Sequence, residues 1–263
     1  MKKVFYRYFF AIIVLFSAGC SCVAKSGTDS VGVANSESDE SSQATAIHDP
    51  VFSVGENRTV CFSHGNLQYN KTTGSWRFAE KQYDYVGYDI DEKAAAAGWM
   101  DLFEWDTVAG GVDMEDGVKW RLLTKDEWEY LFREREDANL KYGAATVDGR
   151  AGLVVLPDRW EGDTIVPGCG GNAGYDYGQN RYTAKQWASM ESNGAVFLPA
   201  VGNRFEDMYY DACMAGYYWL ATRHDEGQAW YMYFYGDGED VNKCQISFGQ
   251  SVRLVRDCYA PAN

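Results

Sequence analysis

The stretch that decides the fold is Lys119–Glu136, KWRLLTKDEWEYLFRERE. It reads as a short strand running into a capped helix. Thr124 is placed to accept a hydrogen bond from the Glu127 amide while Glu127 reaches back, the Thr-x-x-Glu capping box. Trp128, Leu131 and Phe132 recur at i, i+3 and i+4, so one face is apolar. Lys125, Glu129, Arg133 and Glu134 suit the solvent faces. The segment carries packing and no chemistry.

On the N-terminal side, Val51–Val54 and Thr59–Phe62 are short apolar runs. Asn66–Tyr69 and Ser75–Phe78 flank a turn at Thr72–Gly74, a hairpin pattern. Asp91–Ala97 suits a helical turn ended by Gly98. Trp99, Leu102, Phe103 and Trp105 read as a buried loop or short helix, and Gly110–Gly117 as a loop. Beyond the landmark, Ala144–Val147 and Gly152–Leu156 flank Asp148-Gly149, a hairpin signal. Pro167–Gly178 is glycine-rich. A second capping box at Thr183 and Gln186 opens a helix over Thr183–Asn193, with Trp187 and Met190 inward and Gly194 as its stop. Val196–Pro199 reads as a strand. Tyr217–Ala221, Ala229–Phe234 and Gly249–Arg256 read as a closing antiparallel meander. Short strands flanking two helices predict an α+β domain.

The chain has 263 residues, of which 46% are hydrophobic and 16% aromatic. That is enough for one substantial core, placed at 51–263. The formal net charge is -14. Without Lys2, Lys3 and Arg7 of the leader the balance is 21 basic against 38 acidic side chains. Such a surface repels nucleic acid and anionic head groups.

Residues 1–19 have a basic start, an apolar run from Phe9 to Phe16 and small residues before Cys20. That is the anatomy of a secretory signal, too short to span a bilayer. Ala18-Gly19-Cys20 resembles a bacterial lipobox, which implies acylation of Cys20; Ser17 stands where Leu is usual. Residues 20–50 are rich in Ser, Ala, Thr, Gly and acids and cannot offset the entropy of ordering. They read as a tether reaching about 100 Å when fully extended, at roughly 3.3–3.6 Å per residue.

The motif R-L-x-T-x-x-E-W-E-Y within Arg121–Tyr130 resembles the strand–helix entry of the formylglycine-generating-enzyme group of the C-type-lectin-like fold. YYWLA, AWYMYF and GQSVRLVR resemble closing strands of repeats in lipoproteins related to the Fibrobacter succinogenes major paralogous domain. Phe62–Phe78 and Gln82–Gly87 resemble the start of Bacteroidetes-type surface lipoproteins of that kind. The resemblance covers roughly Val51 to Asp257. It implies a C-type-lectin-like domain with two helices on short twisted antiparallel sheets. It leaves function open, because this fold hosts enzymes, lectins and adhesins.

Chemical motifs are sparse. Gly168, Gly170 and Ala173 spell G-x-G-x-x-A, but no helix start follows, so a dinucleotide site is not expected. His48, His64 and His224 lack metal-ligand spacing, and no G-x-S-x-G exists. Two acidic clusters, Asp89, Asp91 and Glu92, and Asp237, Glu239 and Asp240, are the candidates for a calcium ion, which wants six to eight oxygens. Otherwise no cofactor is expected.

The cysteines bear on the enzyme question. In formylglycine-generating enzymes two C-terminal thiols bind copper and oxidise a substrate cysteine. Here Cys244 and Cys258 stand fourteen residues apart, and the intervening residues lack that pattern. Structural disulfides are the expectation for exported cysteines, with Cys213 paired to Cys258 or Cys244.

The best binding candidate is AWYMYFY. Trp230, Met232 and Phe234 alternate with Tyr231, Tyr233 and Tyr235, so one face is core; the other either offers an amphipathic platform for a sugar or protein or is itself covered with its hydroxyls satisfied. The loop carrying Arg223 and His224 adds polar groups. Asp29-Ser30-Val31, Asp106-Thr107-Val108 and Asp163-Thr164-Ile165 resemble the D-[ST]-aliphatic O-glycosylation sites of Bacteroidetes. The sequence therefore predicts a non-enzymatic, outer-membrane lipoprotein binding a glycan or surface protein and touching the membrane only through its anchor. The alternatives are a copper oxidase of the formylglycine-generating type and a structural envelope subunit.

Overall fold

The computed structural model describes residues 49–86, 92–168, 177–236 and 238–258. All lie in the compact unit Ile47–Asn263. In chain order they form β1 (Phe52–Gly55), β2 (Arg58–Phe62), β3 (Leu67–Asn70), β4 (Trp76–Phe78), α1 (Glu92–Ala96), β5 (Trp99–Met100), α2 (Trp105–Val108), β6 (Val112–Asp113) and β7 (Lys119–Trp120). Then come α3 (Lys125–Glu129), a π-helical turn (Tyr130–Glu134), β8 (Tyr142–Val147), β9 (Arg150–Val155), β10 (Asn180–Tyr182) and α4 (Ala184–Ser192). The chain closes with β11 (Val196–Pro199), β12 (Asn203–Phe205), β13 (Met208–Tyr210), β14 (Gly216–Arg223), β15 (Gln228–Tyr235), β16 (Gly238–Gln245) and β17 (Val255–Cys258). The class is α+β, built on several small sheets that are mainly antiparallel. β10 departs from that expectation by pairing parallel to β8. No helix among the described residues is long and apolar enough to cross a membrane.

Both capping boxes form. Thr124 accepts from the Glu127 amide and Thr183 from the Gln186 amide, and each partner side chain returns to the cap amide. Each satisfies two of the amide donors that a helix start leaves unpaired. The first helix is shorter than its apolar periodicity suggests. After Glu129 it widens into the π turn, and the backbone is extended again at Arg135. Leu131 and Phe132 stay buried, while Arg135 turns inward and donates to the Leu156 carbonyl at 3.0 Å and to Asp158 at 3.2 Å.

The four-stranded sheet β10-β8-β9-β11 divides two cores by strand alternation. Leu153, Val155 and Leu198 face the main core, where Trp128, Leu131 and Phe132 pack with Phe52, Met232 and Phe234. Val154 and Phe197 face the other way, onto Trp187 and Met190 of α4. Each such buried side chain contributes roughly 1.5–3 kcal/mol. The β8–β9 hairpin turns at Asp148 (φ 47°) and Gly149 (φ 80°), the left-handed pair that a two-residue turn requires.

The meander is β14-β15-β16. Its third strand holds residues read from sequence as an acidic loop. The segment read as its last strand instead makes single bridges at Gly249, Gln250 and Ser251, and only β17 is regular. β17 pairs with β2, so the two ends of the domain share one sheet. The disulfide joins Cys61 to Cys258, and Cys213 and Cys244 are free. This corrects the expected Cys213 pairing. The bond forms where the domain ends meet, a proximity that sequence spacing does not encode.

Candidate functional site

The alternation in β15 holds. Met232 and Phe234 are fully buried, while Tyr231, Tyr233 and Tyr235 are half-buried on the opposite face. Gly216 lies in register with Phe234, and a Cβ there would meet that ring at 2.3 Å, so glycine lets the two strands close. On the tyrosine side β14 adds Tyr217 opposite Tyr233 and Trp219 opposite Tyr231. The four tyrosine rings form a continuous patch, with centroids 5.8 Å apart along β15 and 5.8–6.4 Å from Tyr217.

The hydroxyls divide into two kinds. Tyr217 donates to Asp211 at 2.6 Å and lies 2.7 Å from the Tyr235 hydroxyl. The Tyr231 and Tyr233 hydroxyls make no hydrogen bond among the described residues. Burial raises the pKa of Tyr217, Tyr231 and Tyr233, so these hydroxyls are neutral across the physiological range. Each is both a donor and an acceptor. Two such groups on a rigid sheet, beside apolar ring faces, suit a ligand carrying hydroxyls or amides.

The polar loop is split by the sheet. Arg223 pairs in register with Ala229, its guanidinium lies 5.3 Å from the Trp105 ring, and it donates to the Asp225 and Glu226 carbonyls. His224 instead packs edge-on against Trp230 at 5.7 Å, with Nε2 2.9 Å from Lys243 Nζ. Trp230 belongs with Met232 and Phe234, so His224 does not join the tyrosines. Arg223 shares their side but is engaged with its own loop.

Asp237, Asp89 and Asp91 lie outside the described residues, as do Cys20, Cys22, Cys169, His48 and the glycine-rich run after Gly168. Glu92 opens α1. Glu239 and Asp240 sit on β16 and share Arg133, at 3.6 and 2.9 Å. Tyr142 also donates to Glu239 at 3.1 Å. Burial raises the Glu239 pKa against the opposing pull of Arg133. Arg133 thus engages both of the described acids of this cluster. Among the described residues the group close enough to hold an ion is Asp49, Cys61 and Cys258, whose two sulfurs are bonded to each other.

Cys244 and Cys258 do not form a thiol pair, since Cys258 is bonded to Cys61. Burial pushes the Cys244 thiol up to about 12, although the Gln250 amide donates to its sulfur at 3.0 Å. A neutral thiol is a poor nucleophile and a poor metal ligand. Of the D-[ST]-aliphatic sites, Asp106 and Thr107 are exposed on α2, Asp163 and Thr164 are exposed before buried Ile165, and Asp29–Val31 lies outside the described residues.

Sequence reasoning missed a cleft of about 660 Å³ lined by β5, the start of α2 and the β12–β13 hairpin. Its walls include Tyr69, Trp99, Glu104, Arg204, Asp207 and Tyr209. The hairpin is held by reciprocal Arg204–Gly249 backbone bonds of 2.8 and 2.7 Å and by the Phe205–Phe248 stack at 4.8 Å. The available signal was NRFEDMYY, two aromatic–polar runs about an acidic turn. Comparison with protein-family models, curated proteins and solved structures found no match.

Proposed function

We propose that this chain is a lipid-anchored protein of the outer membrane whose C-type-lectin-like domain binds a glycan or surface protein and carries out no chemistry on it. The observation that carries this reading is the half-buried tyrosine patch, on which Tyr231 and Tyr233 keep unpartnered hydroxyls. A rigid aromatic surface with free polar tips binds at low entropic cost, because few rotors must be ordered. The bonding of Cys258 to Cys61 counts against the copper-oxidase alternative, which needs two neighbouring thiols near the C-terminus.

The test is capture from cell-surface extracts and from a glycan array, using the full chain beside a Tyr231→Ala/Tyr233→Ala variant. Ligand retained by the first and lost by the second supports the reading. Conversion of a cysteine-containing peptide to an aldehyde by the chain, with copper bound, would replace it by the oxidase. A stable subunit complex unaffected by the double substitution would favour the structural alternative. Intact-mass analysis of the native N-terminus tests the acylated Cys20.

A further inference from the structure

We infer that the cleft between β5 and the β12–β13 hairpin is a separate binding site for a neutral saccharide. The inference rests on the ligand-binding reading above and adds a second site with a stated ligand class. The cleft's volume of about 660 Å³ falls within the ~300–1,000 Å³ usual for small-ligand pockets.

The lining selects the class. Tyr69, Trp99 and Tyr209 supply aromatic surface. The Trp99 ring is held in position by the Arg77 guanidinium, 3.7 Å from its centroid, while Arg77 is itself fixed by Gln68 at 2.8 Å. An oriented indole of this kind offers a flat support for the C–H face of a sugar ring. Around it stand Glu104, Asp207, Lys71 and Arg204. Glu104 precedes α2 but makes no side-chain capping bond. Among the described residues the Glu104 and Asp207 carboxylates have no hydrogen-bond or ion-pair partner. Each accepts hydrogen bonds in its plane, and Arg204 donates.

Three acids, the buried Asp101 with Glu104 and Asp207, against two cations make this lining unsuited to a phosphate or sulfate ligand, which would meet the carboxylates on a chain already at -14. A wholly apolar ligand would desolvate the charged groups without replacing their water contacts. A ring with an apolar face and an equator of hydroxyls satisfies both parts of the lining.

The test is calorimetric titration of the full chain with neutral oligosaccharides of glucose, mannose, galactose, xylose and N-acetylglucosamine, with a heparin fragment as the anionic probe. One neutral series is expected to bind. Asp207→Asn and Trp99→Ala should each weaken it by at least about tenfold, and by the same factor when introduced into the Tyr231→Ala/Tyr233→Ala background. Asp207 is exposed, so Asn should keep the wild-type melting curve and separate lost binding from lost folding. Unchanged affinity in Asp207→Asn, or loss in the tyrosine variant alone, overturns the cleft site while leaving the broader reading in place. Preference for heparin overturns the ligand class. If no neutral sugar binds, the cleft inference fails; a surface protein captured through the tyrosines would then still support the wider function.

Discussion

Cys61 on β2 and Cys258 on β17 are joined by a disulfide across 197 residues, with their Cα atoms 5.7 Å apart. The bond sits in the sheet where the second strand, β2, pairs with β17, so it encloses nearly the whole domain in one covalent loop. A loop of this length corresponds to about 5 kcal/mol in the chain-entropy picture, and losing a native disulfide typically costs about 2–5 kcal/mol. Cys258→Ser should therefore lower the urea midpoint sharply, and wild type in reductant should fall to the same value. A midpoint insensitive to both treatments would show that the strand pairing alone holds the ends.

Glu127 combines the helix cap with an ion-pair hub. Its buried carboxylate takes 2.9 and 3.0 Å bonds from Arg121, a 2.8 Å bond from the Thr124 amide and a further bond from Arg58. Arg121 also reaches Asp257 on β17 at 2.6 Å. Glu127→Ala removes the cap together with both ion pairs, leaving Arg121 to Asp257 and Arg58 to solvent, and should cost about 2–3 kcal/mol. Thr183→Ala, at the exposed box of α4, should cost only about 1 kcal/mol. Denaturant unfolding of the two variants checks the ratio; equal losses would mean that the hub adds nothing to the cap.

Glu239 sets a pH dependence. Burial raises its pKa above the usual 4.5 although Arg133 and Tyr142 favour its charged form. A raised pKa means that its contribution to stability is complete below the unfolded value and is lost as pH rises through the folded value. Glu239→Gln keeps an acceptor for Tyr142 and leaves Asp240 for Arg133. Relative to wild type, the variant should gain stability between pH 4 and pH 7. Unfolding midpoints at both pH values measure this, and a constant or opposite difference would refute it.

What the sequence made legible was local. The Thr124–Glu127 and Thr183–Gln186 boxes, the Asp148-Gly149 turn and the alternation from Trp230 to Tyr235 are each specified within a few residues. β16 escaped because GEDVNKCQ is an edge strand whose charges keep it soluble, and those charges resembled a cation loop. Arg253 escaped for the opposite reason. Its guanidinium is buried and donates to Asn66, Gln82 and the Ser63 and Phe197 carbonyls, so a charged residue inside GQSVRLVR serves as a polar core. Three of these partners lie within 63–82 and the fourth is Phe197, all far from Arg253 in the chain, so no window of sequence brings them together. Half the candidate site was legible on the same terms. The tyrosine row follows from strand period, while the separation of His224 from it depends on which face Trp230 occupies.

The proposal to test is that the half-buried tyrosines of β15 hold a ligand without altering it. Its most direct test is quantitative capture from surface extract and glycan array by the full chain and by Tyr231→Ala/Tyr233→Ala, with mass analysis of what is released. At least one ligand should show retention lower by about tenfold or more in the variant and be released chemically intact. The same captured set in both proteins, or a ligand released in altered form, would contradict it.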